Sequence, residues 1–154
     1  MPFDTERSLR LISTYLGSSG YVTNAQIGEY KSAPDLPADQ FTAAIWISSM
    51  TVAGLTLNGG TIEVHVITAR LYGQGFGNQP EDMEITSAQA VQKIYSDLLG
   101  DADLGSEIRT IDVAGMHGTP LSATWGHIDI DGTMYYVIDL TIPLIVDDSA
   151  TVSL

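Results

Sequence analysis

The sequence predicts an α+β domain: an antiparallel sheet built from two long hairpins, with two helices packed mainly on one face. Asn58-Gly59 and Asp131-Gly132 are each flanked by long runs of strand-forming residues. Such dipeptides favour two-residue hairpin turns, which need positive φ at both central positions. Residues 86–99 have the apolar spacing of an amphipathic helix. Strands joined by tight turns are antiparallel, and this order of elements is typical of the α+β class.

The first predicted element is a helix over Phe3–Leu16. Asp4 is suited to the N-cap, and Glu6 and Arg10 have the i,i+4 spacing of an ion pair. Its apolar stripe consists of Leu9, Ile12 and Leu16. Residues 17–20 end the helix, Ile27–Tyr30 is a candidate short edge strand, and residues 33–39 form a loop because two prolines interrupt any strand ladder.

The first hairpin is predicted over residues 41–72. A turn at Asn58-Gly59 pairs Leu55 with Ile62 near the tip and Trp46 with Leu71 near the base. In this register the apolar residues change face along the ribbon. Either the ribbon reaches beyond its own domain, or it is a strongly twisted central pair that is covered on both faces.

The connection after the first hairpin, residues 73–84, is rich in glycine and is expected to be flexible. The second helix is expected to open at Thr86, with Gln89 at the capping-box position, and to stop at Gly100. Its predicted buried stripe is Ala88, Val91, Tyr95 and Leu98. A short strand over residues 107–113 leads to the second hairpin.

The second hairpin has a well-specified register, because a slip of one residue would turn its apolar set to water. The Asp131-Gly132 turn pairs His127 with Tyr136 and Ala123 with Leu140. Residues 146–154 are expected to fray. One core is expected to contain Trp46, Trp125, Ile138, Leu140, Val91 and Leu98.

Length and composition favour a single domain over residues 1–154. The sequence contains no cysteine, its first residues are polar and charged rather than those of a signal peptide, and no apolar run reaches the ~20 residues of a membrane helix. Six Lys and Arg against nineteen Asp and Glu give a net charge of -13. Such a balance disfavours tight binding to DNA phosphates and also suits simple solubility.

Three patterns could carry chemistry, and each has a plainer explanation. Residues 101–107 resemble a calcium loop but lack its ligand spacing, and His127, Asp129 and Asp131 alternate along a strand although Asp131 is needed for the turn. The glycines of residues 73–77 are followed by acidic residues that would repel phosphate. We therefore expect no catalytic, cofactor-binding or metal-binding residues.

The succession of elements resembles the tail terminator proteins of long-tailed (siphovirus-type) bacteriophages. The resemblance rests on the N-terminal helix, a TLNGG turn, the strand TIEVHVITARLY, a glycine-rich connection, one amphipathic helix and the closing strand YYVIDLTIPLIV, over Phe3–Val146. It implies a homo-oligomeric ring, a hexamer in this family, that caps the tail tube protein and joins it to a head-tail connector or stopper protein. The resemblance also implies that the protein is assembled in the bacterial host cytoplasm and is located in the virion. DNA would pass through the ring without specific binding, and the family implies no membrane partner and no catalytic residue.

Two sets of residues are candidates for roles in such a ring. The subunit-interface candidates are Phe76, Tyr72, Arg70, Lys31, Leu55 and Ile62. The channel-lining candidates, where negative charge would let DNA slide without sticking, are Glu81, Asp82, Glu84, Asp101 and Asp103. The alternatives are a tail tube or other neck-ring subunit and, from a different class, a small monomeric enzyme or ligand-binding module.

Overall fold

The computed structural model describes residues 4–31, 34, 40–55, 57, 59–74, 80–105 and 108–148. Within these ranges two helices and six strands follow one another along the chain. In order they are α1 (Thr5–Ser18), β1 (Val22–Ile27), β2 (Phe41–Leu55), β3 (Thr61–Gln74), α2 (Pro80–Leu99), β4 (Thr110–Ile111), β5 (Ser122–Ile130) and β6 (Thr133–Asp148).

The six strands form one mixed sheet, so the α+β class is confirmed and the purely antiparallel sheet is wrong. The strand order is β1-β2-β3-β6-β4, and β5 pairs with β6 beside β4. Only the first pair in this order, β1 with β2, is parallel; the other described pairs are antiparallel. A parallel pair needs a connection of about a dozen residues, and residues 28–40 supply it. The edge strand predicted over Ile27–Tyr30 is wrong in position, because the strand that pairs with β2 is Val22–Ile27.

The β5–β6 hairpin has the predicted register. His127 pairs with Tyr136 and Ala123 with Leu140, while Asp131 and Gly132 both have positive φ. β6 continues to Asp148 between β3 and β4, and Val146 on it is buried. The expectation that the chain frays from residue 146 is therefore wrong for 146–148, and residues 149–154 lie outside the described ranges.

The β2–β3 hairpin does not have the predicted register. Leu55 pairs with Thr61 rather than Ile62, and Trp46 pairs with Thr68 rather than Leu71. Two β-bulges in β2, between Ile47 and Ser49 and between Val52 and Gly54, shift the pairing along the ribbon. Each bulge adds one residue to β2 and none to β3. The predicted pairing is therefore wrong by one position at the tip and, after two bulges, by three positions at the base.

Both helices pack on the same face of the sheet, as predicted. α1 begins after Asp4, whose carboxylate accepts a 3.0 Å hydrogen bond from the Arg7 N–H. α2 begins at Pro80, six residues before the predicted Thr86, which is consistent with the preference for proline in the first helical turn. Ala88 is exposed, so the predicted buried stripe of α2 is wrong at that position.

We call the face under the helices the helix face. It contributes Ile67 and Leu71 of β3 and Ile138 and Leu140 of β6 to one core, together with Val91 and Leu98 of α2. Trp46 and Trp125 were expected in that core and lie outside it. Trp46 packs on the opposite face against a second, smaller cluster of Ala44, Tyr72, Tyr135 and Val137. Trp125 is 43% exposed.

Candidate assembly surfaces

The outer part of β2, residues Ser48–Leu55, is the least covered strand segment on the described surface; we call it the β2 arm. All its residues are exposed except Gly54, which is intermediate. β1 pairs with β2 only as far as Ile45, and no described strand pairs with the outer edge of the arm. The arm therefore offers an unpaired backbone edge together with its side chains.

The two bulges place the apolar side chains of the arm on one face. Met50 pairs with His65, Val52 with Glu63 and Leu55 with Thr61. These three β3 partners are separated from Ile67 by even numbers of residues, so their side chains point to the helix face like those of Ile67 and Leu71. Residues that pair directly share a face, so the three β2 side chains also lie on the helix face. Met50 is 55% exposed, Val52 60% and Leu55 78%. We call these three residues the apolar strip; it extends the helix face beyond the area that the helices cover.

The sequence around the strip carries no charge. From Phe41 to Ile62 there is no Asp, Glu, Lys, Arg or His, in a chain of net charge -13. Natural edge strands are commonly protected by charged residues, especially lysine, or by proline, and β2 has neither. This long uncharged run is the sequence signal that would have identified the surface.

A second unpaired edge belongs to β5. β5 pairs with β6, and no described strand pairs with its other side. Trp125 lies on the helix face of β5, where its indole N–H donates a 3.0 Å hydrogen bond to the Ser87 hydroxyl of α2. This bond holds the ring while leaving it partly exposed, and Met134, which pairs with Asp129 near the turn, is 39% exposed. The β5 side of the sheet thus also carries fixed apolar surface.

Two interface candidates prove to be engaged within the chain. Arg70 donates two hydrogen bonds to the Asp139 carboxylate, from Nε at 2.6 Å and from Nη2 at 3.0 Å. It also donates from Nη1 to the Glu29 carboxylate at 3.3 Å, and its guanidinium carbon lies 5.2 Å from the centroid of the Trp46 ring. The hydrogen bonds to Asp139 raise the pKa of Arg70. Tyr72 is completely buried, so it has no surface to present to a neighbour and is wrong as an interface candidate.

The other interface candidates differ in exposure. Leu55 and Lys31 are exposed and Ile62 is intermediate. Leu55 and Ile62 lie together at the tip of the first hairpin, where Ile62 pairs with Gly54, while Lys31 follows β1 in the chain. Phe76 lies outside the described residues. The structure thus leaves the hairpin tip as the part of the predicted interface with exposed apolar surface.

The acidic channel candidates do not form one cluster. Glu81, Asp82 and Glu84 are exposed in the first turns of α2, whereas Asp101 and Asp103 follow its last residue. At 1.5 Å per residue the two groups are separated by roughly the length of the helix, about 28 Å. The two groups therefore do not form one continuous acidic patch on the described surface.

Asp101 also has a local structural role. Its carboxylate accepts a 2.5 Å hydrogen bond from the Tyr15 hydroxyl and a 3.0 Å hydrogen bond from the Gly105 N–H. The bond from Tyr15 first, and then the bond from Gly105, hold the pKa of Asp101 below its usual value, and the bond between Tyr15 and Asp101 is the largest cause that raises the pKa of Tyr15. Asp101 thereby connects α1 to the loop after α2, and Asp103 remains exposed.

The suspected metal-binding residues have other partners. His127 packs edge-on against Tyr136, with ring centroids 5.4 Å apart, and the Asp129 carboxylate accepts a 2.8 Å hydrogen bond from the Gly132 N–H in the turn. Among the described residues no three His, Asp or Glu side chains are grouped as a metal site would require.

None of the described helices is long and apolar enough to cross a membrane.

A further surface feature is the loop between β4 and β5. The buried Asp112 carboxylate accepts hydrogen bonds from the N–H groups of Met116, at 2.8 Å, and His117, at 2.9 Å. These hydrogen bonds stabilise the first part of the loop, in which Met116 is 85% exposed.

Comparison with known proteins gives little that bears on function. No protein-family model matches the chain, and no curated protein matches it in sequence. Among solved structures, a chain from a structure described as the virion of a native gene transfer agent particle is similar with a TM-score of 0.45 and 15% identity, over 92% of this chain and 90% of that one. Values this low assign neither a function nor an assembly.

Proposed function

We propose that this protein is a structural subunit of a phage-type virion, a tail terminator that forms a ring on the end of the tail tube and joins it to the head connector. The observation that carries the proposal is the β2 arm, with its unpaired edge and its exposed apolar strip. Exposed apolar surface of this kind is typical of proteins that act in assemblies. The resemblance of the order of elements to tail terminators gives the type of assembly.

The charge of the chain is consistent with this role. Six copies would together carry about six times -13, roughly -78 formal charges, which the contacts between copies must accommodate. The β2 arm contributes no charged side chain of its own to such an interface. A channel wall of the same sign as DNA would let the genome slide past without gripping its phosphates.

The proposal assigns the chain no catalytic role and no cofactor. The polar groups that sequence patterns singled out as possible chemistry are engaged in turns and loops: Asp129 in the β5–β6 turn and Asp101 in the loop after α2. On the opposite face of the sheet, Arg70 is held by Asp139. These contacts stabilise turns, loops and strand pairing within the fold.

The proposal is tested by comparing two variants by sedimentation velocity. Leu55→Asp places a charge in the apolar strip, and Met116→Asp places the same charge on an exposed apolar residue of the β4–β5 loop. We expect the first to weaken self-association about tenfold or more and the second to change it less than about threefold. Equal effects, or a wild-type chain that is monomeric at all accessible concentrations, would remove the support for an assembling subunit.

A further inference from the structure

We infer that the outer edge of the β2 arm pairs with the outer edge of β5 in a second copy of this chain, so that the sheet continues from copy to copy. This inference deepens the proposed function and rests on it for the existence of an assembly of copies. Both edges are unpaired within the described part of the chain. The free stretch of β2, residues 46–55, and β5, residues 122–130, are of similar length.

The directions of the strands fit this pairing. β2 is antiparallel to β3 and β3 is antiparallel to β6, so β2 and β6 run the same way. β5 is antiparallel to β6 and hence opposite in direction to β2. If neighbouring copies keep one orientation in a continuous sheet, the two edges meet as an antiparallel pair, the arrangement that forms ladders with perpendicular hydrogen bonds.

The side chains fit as well. A continuous sheet keeps its two faces distinct, so the apolar strip and Trp125 would lie on the same face at the contact. The strip loses water from Met50, Val52 and Leu55 by packing toward the fixed indole ring and Met134. The contact is therefore a hydrogen-bonded edge with apolar side chains on one face, where the exposed Asp129 carboxylate is held by the Gly132 N–H of its own turn.

Charge favours a second copy over a basic partner. A basic protein would dock on one of the acidic surfaces, such as the first turn of α2, and would gain nothing from an uncharged strand. A second copy carries the same net charge of -13 and is repelled by those acidic surfaces. The uncharged arm is the part of the surface that a copy of like charge can approach at least electrostatic cost.

Pairing of two different edges also explains how more than two copies assemble. A contact of β2 with β2 would use the same patch on both copies and would stop at a dimer. A contact of β2 with β5 leaves one free edge of each kind at the ends of every intermediate. Such a contact adds copies one after another and gives a closed ring when the rotation between neighbouring copies closes.

The experiment compares hydrogen exchange of the assembled protein with that of the dissociated protein at high dilution. Protection of the backbone amides in residues 46–55 and 122–130 should rise at least about tenfold on assembly, because edge amides that faced water become hydrogen-bonded. Protection confined to α1, or to the β4–β5 loop, would overturn the edge pairing. Absence of any assembly would overturn both the pairing and the proposed function, whereas assembly without edge protection would overturn the pairing alone.

A cross-linking series gives a second readout that does not depend on stability. The natural chain has no cysteine, so a Thr51→Cys variant combined with one cysteine at position 122, 124, 126, 128 or 130 has only the introduced thiols. Cross-strand Cα distances of about 4.5–5.5 Å match disulfide geometry, and at least one combination should give a ladder of covalent oligomers. The control is Thr51→Cys with Thr14→Cys, on an exposed position of α1. A ladder from the control alone, or disulfide dimers from Thr51→Cys by itself, would contradict the inference.

Discussion

Replacing Leu140 by alanine is the most informative single test of the packing. Leu140 is completely buried in β6, between Ala69 of β3 and Ala123 of β5. Losing three methylene-sized groups costs about 2.4 kcal/mol at about 0.8 kcal/mol each. The two alanine neighbours are too small to fill the space, and a remaining cavity of roughly 50 Å³ adds about 1.2 kcal/mol. We therefore expect Leu140→Ala to lower the free energy of unfolding by about 3–4 kcal/mol.

The assay is urea unfolding followed by circular dichroism, at a protein concentration where sedimentation shows a single species. The expected loss lowers Tm by roughly 6–16 °C for a domain of this size. Leu57→Ala is the matched control, because Leu57 is fully exposed, and its effect should stay within about 0.5 kcal/mol. A loss below about 1 kcal/mol for Leu140→Ala would refute the placement of β6 at the centre of the core.

Three further predictions concern charged groups. Arg70→Ala should lower the free energy of unfolding in urea by about 1–3 kcal/mol, because it leaves the Asp139 carboxylate without its paired hydrogen bonds. Arg70→Lys should restore only part of that free energy, and full restoration would contradict a bidentate role of Arg70. Hydrogen bonding lowers the pKa of Asp101, so the Tyr15 bond stabilises the fold most when the carboxyl group is ionised. Tyr15→Phe should therefore show its full loss of stability above the ordinary carboxyl pKa of 3.8 and a smaller loss as pH falls below that value. A loss that does not change with pH between 2 and 5 would count against the bond. Raising salt from low ionic strength should favour self-association by screening like charges over a Debye length of ~10 Å at 0.1 M, and salt-induced dissociation measured by sedimentation would contradict an uncharged interface.

The β5–β6 hairpin could be predicted because its information is local. Asp131 and Gly132 form a two-residue turn with φ values of 52° and 83°, and the alternating apolar residues fix which face is buried. The N-cap of α1 at Asp4 was predictable for the same reason. In each case one short stretch of sequence determines the geometry.

The β2–β3 hairpin could not be predicted to the residue. Residues 56–60 lie between the two strands, so the connection is longer than the two-residue turn that Asn58-Gly59 suggested. The bulges in β2 then keep Met50, Val52 and Leu55 on one face, although their spacing in sequence suggests a change of face. Bulges depend on the pairing of two strands, and a periodicity read along one strand does not reveal them.

The position of β1 was likewise beyond local signals. Its parallel pairing with β2 follows from a long connection and from the packing of α1 on the sheet. Among the interface candidates, Leu55 is exposed and Ile62 is intermediate, and their role at an interface stays a prediction, whereas Tyr72 was assigned to the surface and is buried. Tyr72 faces away from the helices, and only the tertiary structure brings Tyr30 to cover it, with ring centroids 5.3 Å apart.

The central claim, that copies of this chain form a closed ring, is tested most directly by negative-stain electron microscopy of the purified protein, with native mass spectrometry of the same sample. We expect rings with a central opening, and for six copies of a 16.5 kDa chain a mass of about 99 kDa. Long tubes would instead indicate a tube subunit. A sample that stays monomeric at tens of micromolar protein would contradict the ring.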